Sequence, residues 1–194
     1  MNAESPHRRS PGAGPIVLVG LMGAGKSTVG RLVAGLCGRR FLDLDEEIVR
    51  RTGRTVPELF AESGEVGFRE IEARVTRDIA ARAPEVAELV VAAGGGWMFN
   101  RAARTALPRA TTVWLKVGPA EAARRMGPER ADRPLLAGVD PASRLRALLD
   151  ERLPAYRDAT YTVDTAGRTA DAVAREVAAV TGLLPETGAT HTDS

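Results

Sequence analysis

Gly20-Leu-Met-Gly-Ala-Gly-Lys-Ser27 follows directly on the apolar run Ile16–Val19 and leads into a helical stretch, Ser27–Ala34. The spacing G-x-x-x-x-G-K-S is the phosphate-binding P-loop pattern, in which each residue type has a physical task. Glycines at 20, 23 and 25 permit left-handed backbone, which aims successive N–H groups at phosphate oxygens. A helix opening at Lys26 adds the positive end of its dipole to the same anion site. Lys26 can reach the β- and γ-phosphates of a nucleotide, and the Ser27 hydroxyl can ligate Mg2+. Of the 27 cationic residues only Lys26 and Lys116 are lysine, which leaves 25 arginines. A chain that writes its cations almost entirely as arginine has kept a lysine inside this loop. A slim, flexible ammonium suits a cramped phosphate cradle better than a wide guanidinium.

Further polar groups stand after the next apolar runs. Asp43-Leu-Asp45 ends a strand predicted over 40–44. Strand alternation puts both carboxylates on one side, about 6–7 Å apart. One can support Mg2+ and the other can orient or deprotonate a hydroxyl. An acid capping the helix that starts at Glu46 is the plainer reading, and Asp45 can do both. Farther on, Gly64-Glu-Val-Gly-Phe68-Arg69-Glu-Ile-Glu72 places Arg69 and Glu72 three apart on one helix, so the acid can steady the guanidinium. A surface ion pair accounts for them equally well. Gly94-Gly95-Gly96 follows Val90–Ala93. Three glycines mark a close backbone approach, to a ligand or to another element, or a bare tight turn.

These groups need a scaffold to hold them. Candidate strands lie at 15–20, 40–44, 88–93, 111–117 and 160–164. Candidate helices lie near 26–37, 46–52, 56–62, 66–82, 100–106, 119–126, 141–152 and 169–181. Alternation of the two predicts an α/β fold: a five-stranded parallel sheet covered on both faces, three layers in all. Ligands in such sheets sit at the carboxyl ends of the strands, where the P-loop, Asp43/Asp45 and Gly94–Gly96 all fall. Residues 127–139 form a Gly/Pro-punctuated stretch with Arg130 and Arg133, read as a mobile lid; a solvated connector is the alternative. Residues 1–14 and 184–194 read as disordered tails around a single domain at 15–183.

Composition narrows the field. The formal charge of +2 and 4% aromatic content argue against a nucleic-acid partner. No apolar run is long enough to span a bilayer, and the N-terminus has no apolar signal core, so the cytoplasm is the expected compartment. Cys37 stands alone, on the helix after the P-loop, and reads as a small core residue. His7 and His191 fall in the tails and are poor acid–base candidates.

The set as a whole resembles shikimate kinase. The likeness spans about residues 15–182 and rests on six stretches in this order: G-L-M-G-A-G-K-S-T-V-G-R-L, F-L-D-L-D-E-E-I, G-E-x-x-F-R-x-x-E, G-G-G, R-P-L-L and R-L-P-A-Y-R-D-A. It implies a P-loop kinase of the nucleoside monophosphate kinase-like type, a monomer with ATP and shikimate as its small-molecule substrates. The implied reaction is Mg2+-dependent transfer of the γ-phosphate to the 3-hydroxyl of shikimate, on the route to aromatic amino acids. By the same likeness Gly23, Ala24, Gly25, Lys26, Ser27 and Thr28 bind ATP, with Ser27 and Asp43 at the metal. Asp45 holds the substrate hydroxyls and assists proton removal. Arg69 and Arg152 clamp the substrate carboxylate beside the N–H groups of Gly94, Gly95 and Gly96. Arg133 descends onto the transferring phosphate, and Arg125 lies against adenine. Lys26, Asp45 and Arg133 would then form the catalytic set.

One departure stands at Trp97-Met-Phe99, where the family usually has a small residue after the glycines. The indole either trims the pocket or points into the core. Three rivals are a gluconate kinase, a nucleoside monophosphate kinase and a nucleotide-binding relative without turnover. The acidic-histidine signature of the first is absent, paired arginines suit a carboxylate better than a base, and Asp45, Arg69 and Arg152 are all retained.

Overall fold

The computed structural model describes residues 14–82, 84–126 and 140–184. The stretch 127–139, read as a lid, lies outside them with Arg130 and Arg133, and so do nearly all of both tails. Five strands, β1 (Ile16–Val19), β2 (Arg40–Asp43), β3 (Leu89–Ala92), β4 (Thr111–Lys116) and β5 (Tyr161–Asp164), form one parallel sheet in the order 2-3-1-4-5. Every pairing is parallel, with Val17 of β1 opposite Val91 on one side and Thr112 on the other. Successive side chains of a strand face opposite sides, and every residue of β1 and β3 is buried. Both faces of the sheet are therefore covered, as the three-layer reading requires.

The covering helices are α1 (Lys26–Cys37), α2 (Leu44–Thr52), α3 (Val56–Ala80), α4 (Arg101–Ala106), α5 (Pro119–Met126), α6 (Pro141–Arg157) and α7 (Ala170–Val180). In the packing α1 meets α7, α3 meets both α2 and α4, and α5 meets α6. Local chemistry sets several of their ends. Thr55 and Glu58 form a reciprocal capping box at the start of α3, and Thr169 caps α7. Cys37, half-buried, packs against the core from the end of α1.

Three departures from the sequence expectation bear on the site. β2 stops at Asp43, and α2 begins at Leu44, so Asp45 sits in the first helical turn and not on the strand. The cap is Asp43, whose Oδ1 accepts from the N–H groups of Asp45 at 3.0 Å and Glu46 at 3.4 Å. The two carboxylates are thus brought together by a turn, not by strand alternation. Second, the two helices predicted at 56–62 and 66–82 join into one, bent at Gly64. Third, α6 continues past Arg152 and through Pro154 to Arg157. Fully buried Tyr156 in that last turn explains it: packing outweighs the hydrogen bond that proline removes.

Candidate active site

The carboxyl ends of the strands open into a cleft of about 650 Å³. At one end lies the P-loop. Gly25, with φ 86°, stands where α1 begins, a conformation that side-chain-bearing residues rarely adopt. Gly23 is packed so tightly on the Ala122 carbonyl that a Cβ would collide with it. Lys26 Nζ donates to the carbonyls of Gly20 at 3.1 Å and Leu21 at 3.0 Å, which holds the ammonium over the loop. Ser27 Oγ donates to Asp43 Oδ2 at 2.5 Å. Asp43 thus divides its oxygens, one capping α2 and one facing Ser27.

That hydroxyl and that carboxylate oxygen are hard donors of the kind Mg2+ takes. Among the described residues no cluster of three or more His, Cys, Asp or Glu could hold a metal unaided. The pair fits an ion that keeps waters and completes its shell with nucleotide phosphates.

The opposite end is built on Gly94–Gly96, and the reason for three glycines is visible there. A Cβ on Gly95 would lie 2.7 Å from Arg152 Nη1, and one on Gly96 would overlap the Arg69 guanidinium. A Cβ on Gly94 would stand 3.1 Å from Glu72 Oε1 and 3.3 Å from Asp45 Oδ1. Two cations and two carboxylates therefore press on one bare stretch of backbone. Arg69 donates from Nη1 to Glu72 Oε2 and from Nη2 to Glu65 Oε1, each at 3.0 Å. Glu72 is fully buried, so its pairing with Arg69 is not the surface ion pair that the sequence left open. Burial pushes its carboxyl above the ordinary range, opposed by the Arg69 charge. Arg152 is only 2% exposed, and no carboxylate pairs with it among the described residues. Beside it the Tyr156 hydroxyl donates to the Gly95 carbonyl at 2.6 Å. Burial raises that phenol, which keeps it a neutral donor. Phe60 and Phe68, ring centroids 4.6 Å apart, form the apolar wall.

Arg125 borders the cleft beyond the P-loop. Its guanidinium donates to Thr165 Oγ1 at 3.1 Å, to the Thr165 carbonyl at 2.6 Å and to Glu121 Oε1 at 2.6 Å. Gly23, Ala24, Gly25, Lys26, Ser27, Thr28, Asp43, Asp45, Arg69, Gly94–Gly96, Arg125 and Arg152 all line the one cleft. Arg133 lies outside the described residues. Sequence reasoning missed Phe60 and the segment Thr165, Arg168, Ala170 and Val173, which also line it. The latter comes after β5, so the carboxyl-end rule already pointed there. It also missed Asn100, which touches the site only through the tertiary fold. Trp97, 1% exposed, lies in the core and not in the cleft.

A parallel sheet, a P-loop with its lysine, and a cleft ending in two guanidinium groups define a P-loop phosphotransferase acting on a small anionic acceptor. The family model described as shikimate kinase matches residues 22–181. A shikimate kinase of Thermobifida fusca is 46% identical over 84% of this chain and 91% of its own length. One from Mycobacterium avium is 45% identical over 89% and 94%. The solved shikimate kinase of Acinetobacter baumannii, in complex with shikimate, superposes with a TM-score of 0.79 at 39% identity, over 89% of this chain and 96% of that one. The chain belongs to the shikimate kinase family and is an ATP-dependent phosphotransferase.

Proposed function

We propose that this chain transfers the γ-phosphoryl group of ATP to the 3-hydroxyl of shikimate, with the work divided among the cleft residues. Arg152 is the observation that supports the acceptor most directly. A desolvated cation with no carboxylate partner among the described residues is costly unless a ligand anion completes it. Together with Arg69 it offers two guanidinium forks across Gly95 and Gly96, a geometry suited to a ring carboxylate. Phe60 and Phe68 supply the face for the cyclohexene ring. Asp45, beside Gly94, accepts from the substrate hydroxyls and assists removal of the proton from the attacking oxygen. Lys26 and the loop N–H groups hold the nucleotide phosphates and oppose the charge that spreads over the transferring group. Ser27 and Asp43 would hold Mg2+, which when bound supplies charge neutralisation at the phosphates. As the family likeness implies, Arg125, which borders the cleft, would flank the adenine, and Arg133, outside the described residues, would act on the transferring phosphate.

Coupled detection of ADP with shikimate, gluconate and AMP offered side by side tests the proposal. Turnover is expected with shikimate, and faster turnover with either alternative would overturn the acceptor. Asp45→Asn should lower kcat by about 10²-fold or more while ATP still binds. Near-normal kcat in that variant would remove Asp45 from the reaction.

A further inference from the structure

Resting on the acceptor proposed above, we infer that Asn100 is a positioning residue for substrate recognition, holding the Arg69–Glu72 pair against the glycine floor. Asn100 is 8% exposed and closes the short 3-10 turn Trp97–Phe99 that comes after Gly96. Both ends of its amide are engaged. Oδ1 accepts from the N–H of Ala103, which caps α4. Nδ2 donates to the Arg69 carbonyl at 2.7 Å and to Glu72 Oε2 at 3.0 Å. The assignment of nitrogen and oxygen is forced, because one side meets an N–H and the other meets two acceptors.

The consequence concerns Arg69. Its guanidinium occupies the space that a Cβ of Gly96 would need, so small displacements change what the fork can reach. Glu72 Oε2 receives both Arg69 Nη1 and Asn100 Nδ2, so one carboxylate oxygen joins the fork to the floor segment. Asn100 also grips Arg69 by its backbone. Arg69 is therefore fixed at both ends relative to Gly94–Gly96, and α3 is registered on the very backbone that the substrate carboxylate would meet. Without the amide donor, Glu72 keeps Arg69 but loses its tie to the floor. A buried polar network that is only partly satisfied sits less well defined than a complete one. The penalty should fall on binding of the carboxylate and not on the nucleotide, whose cradle lies at the other end of the cleft.

Two variants separate positioning from capping. Asn100→Ser keeps a good cap but is too short to reach Glu72. Asn100→Asp keeps the cap oxygen and turns an acceptor toward Glu72 and the Arg69 carbonyl. Steady-state kinetics, calorimetric titration with shikimate and thermal melting are compared with the wild type. For Asn100→Ser, shikimate KM and Kd should rise about tenfold with ATP KM within about twofold, and Tm should fall by a few degrees because buried Glu72 loses a donor. For Asn100→Asp the rise should be larger, about 10²-fold, because two acceptors face each other. Unchanged shikimate KM in Asn100→Ser, beside an active wild type, overturns the inference alone. Equal rises in both KM values would also overturn it, leaving Asn100 a structural residue only. A wild type that neither binds nor turns over shikimate overturns the acceptor and this inference with it.

Discussion

Arg152 and its glycine neighbour show how a side chain and a missing side chain share one task. The guanidinium lies so close to Gly95 that a single methyl would stand 2.7 Å from Nη1. Arg152→Ala should raise shikimate KM by about 10²-fold, with ATP KM within about twofold, since a charge-assisted bidentate contact is lost. Arg152 has no carboxylate partner among the described residues, but its buried stem fills space and its guanidinium bonds the Tyr156 hydroxyl, so Tm should fall by only a few degrees. Lysine should not rescue the variant, because a point charge does not reproduce the fork. A large loss of Tm, or a rise in ATP KM instead, would contradict this account. Gly95→Ala should resemble Arg152→Ala in direction, by pushing the guanidinium away and not by removing it. The chemistry of Lys26 was legible because strand, glycines, lysine and serine lie within a dozen residues. That of Arg152 and Gly95 was not legible from spacing: they stand far apart in the chain, and family likeness first joined them.

The elements transmit position, and α3 does so through its bend. Gly64, with φ 64° and ψ −170°, is in a region open in practice only to glycine. Val56 and Phe60 line the cleft from before the bend, Phe68 and Arg69 from after it. Among the described residues, no atom beyond the helix's own backbone and the chain neighbours stands within 4 Å of where a Gly64 Cβ would be, so a methyl group meets no obstacle from the rest of the fold. Gly64→Ala therefore acts through the backbone alone. It should cost ~1–3 kcal/mol, a fall in Tm of roughly 3–8 °C, and it should raise shikimate KM as the two phenylalanines part. A variant with lowered Tm and unaltered shikimate KM would show that the bend serves stability only. The sequence pattern placed a break near here, between helices read at 56–62 and 66–82, because Gly64 and Gly67 interrupt the apolar periodicity. It could not show that the axis bends and continues. The start of α2 was misjudged for a related reason: Asp43 can end a strand or cap a helix, and its two hydrogen bonds to the next turn decide the matter. Strand β1 was plain, being a buried apolar run on both faces.

Across the whole molecule, loops from five strands converge on one edge of the sheet, which is why so much of the cleft could be anticipated from the residues just after each apolar run. The part that escaped was lateral: the wall from Thr165 to Val173, and the reach of Asn100 to α3, depend on how helices settle beside one another. The same settling has an optical consequence. Both tryptophans of the chain are buried, at 1% and 7% exposure. Trp97 is the residue after Gly96. Trp114 stacks on Tyr156 with centroids 5.5 Å apart, and the Tyr156 hydroxyl holds the Gly95 carbonyl. Each indole is thus one link from the glycine floor. Intrinsic emission should lie at short wavelength in the folded protein and change in intensity when shikimate is added. Trp97→Phe should remove most of that response. An unresponsive emission in a protein that demonstrably binds shikimate would mean the floor is rigid to its ligand; a responsive one makes the wild-type chain its own unlabelled sensor.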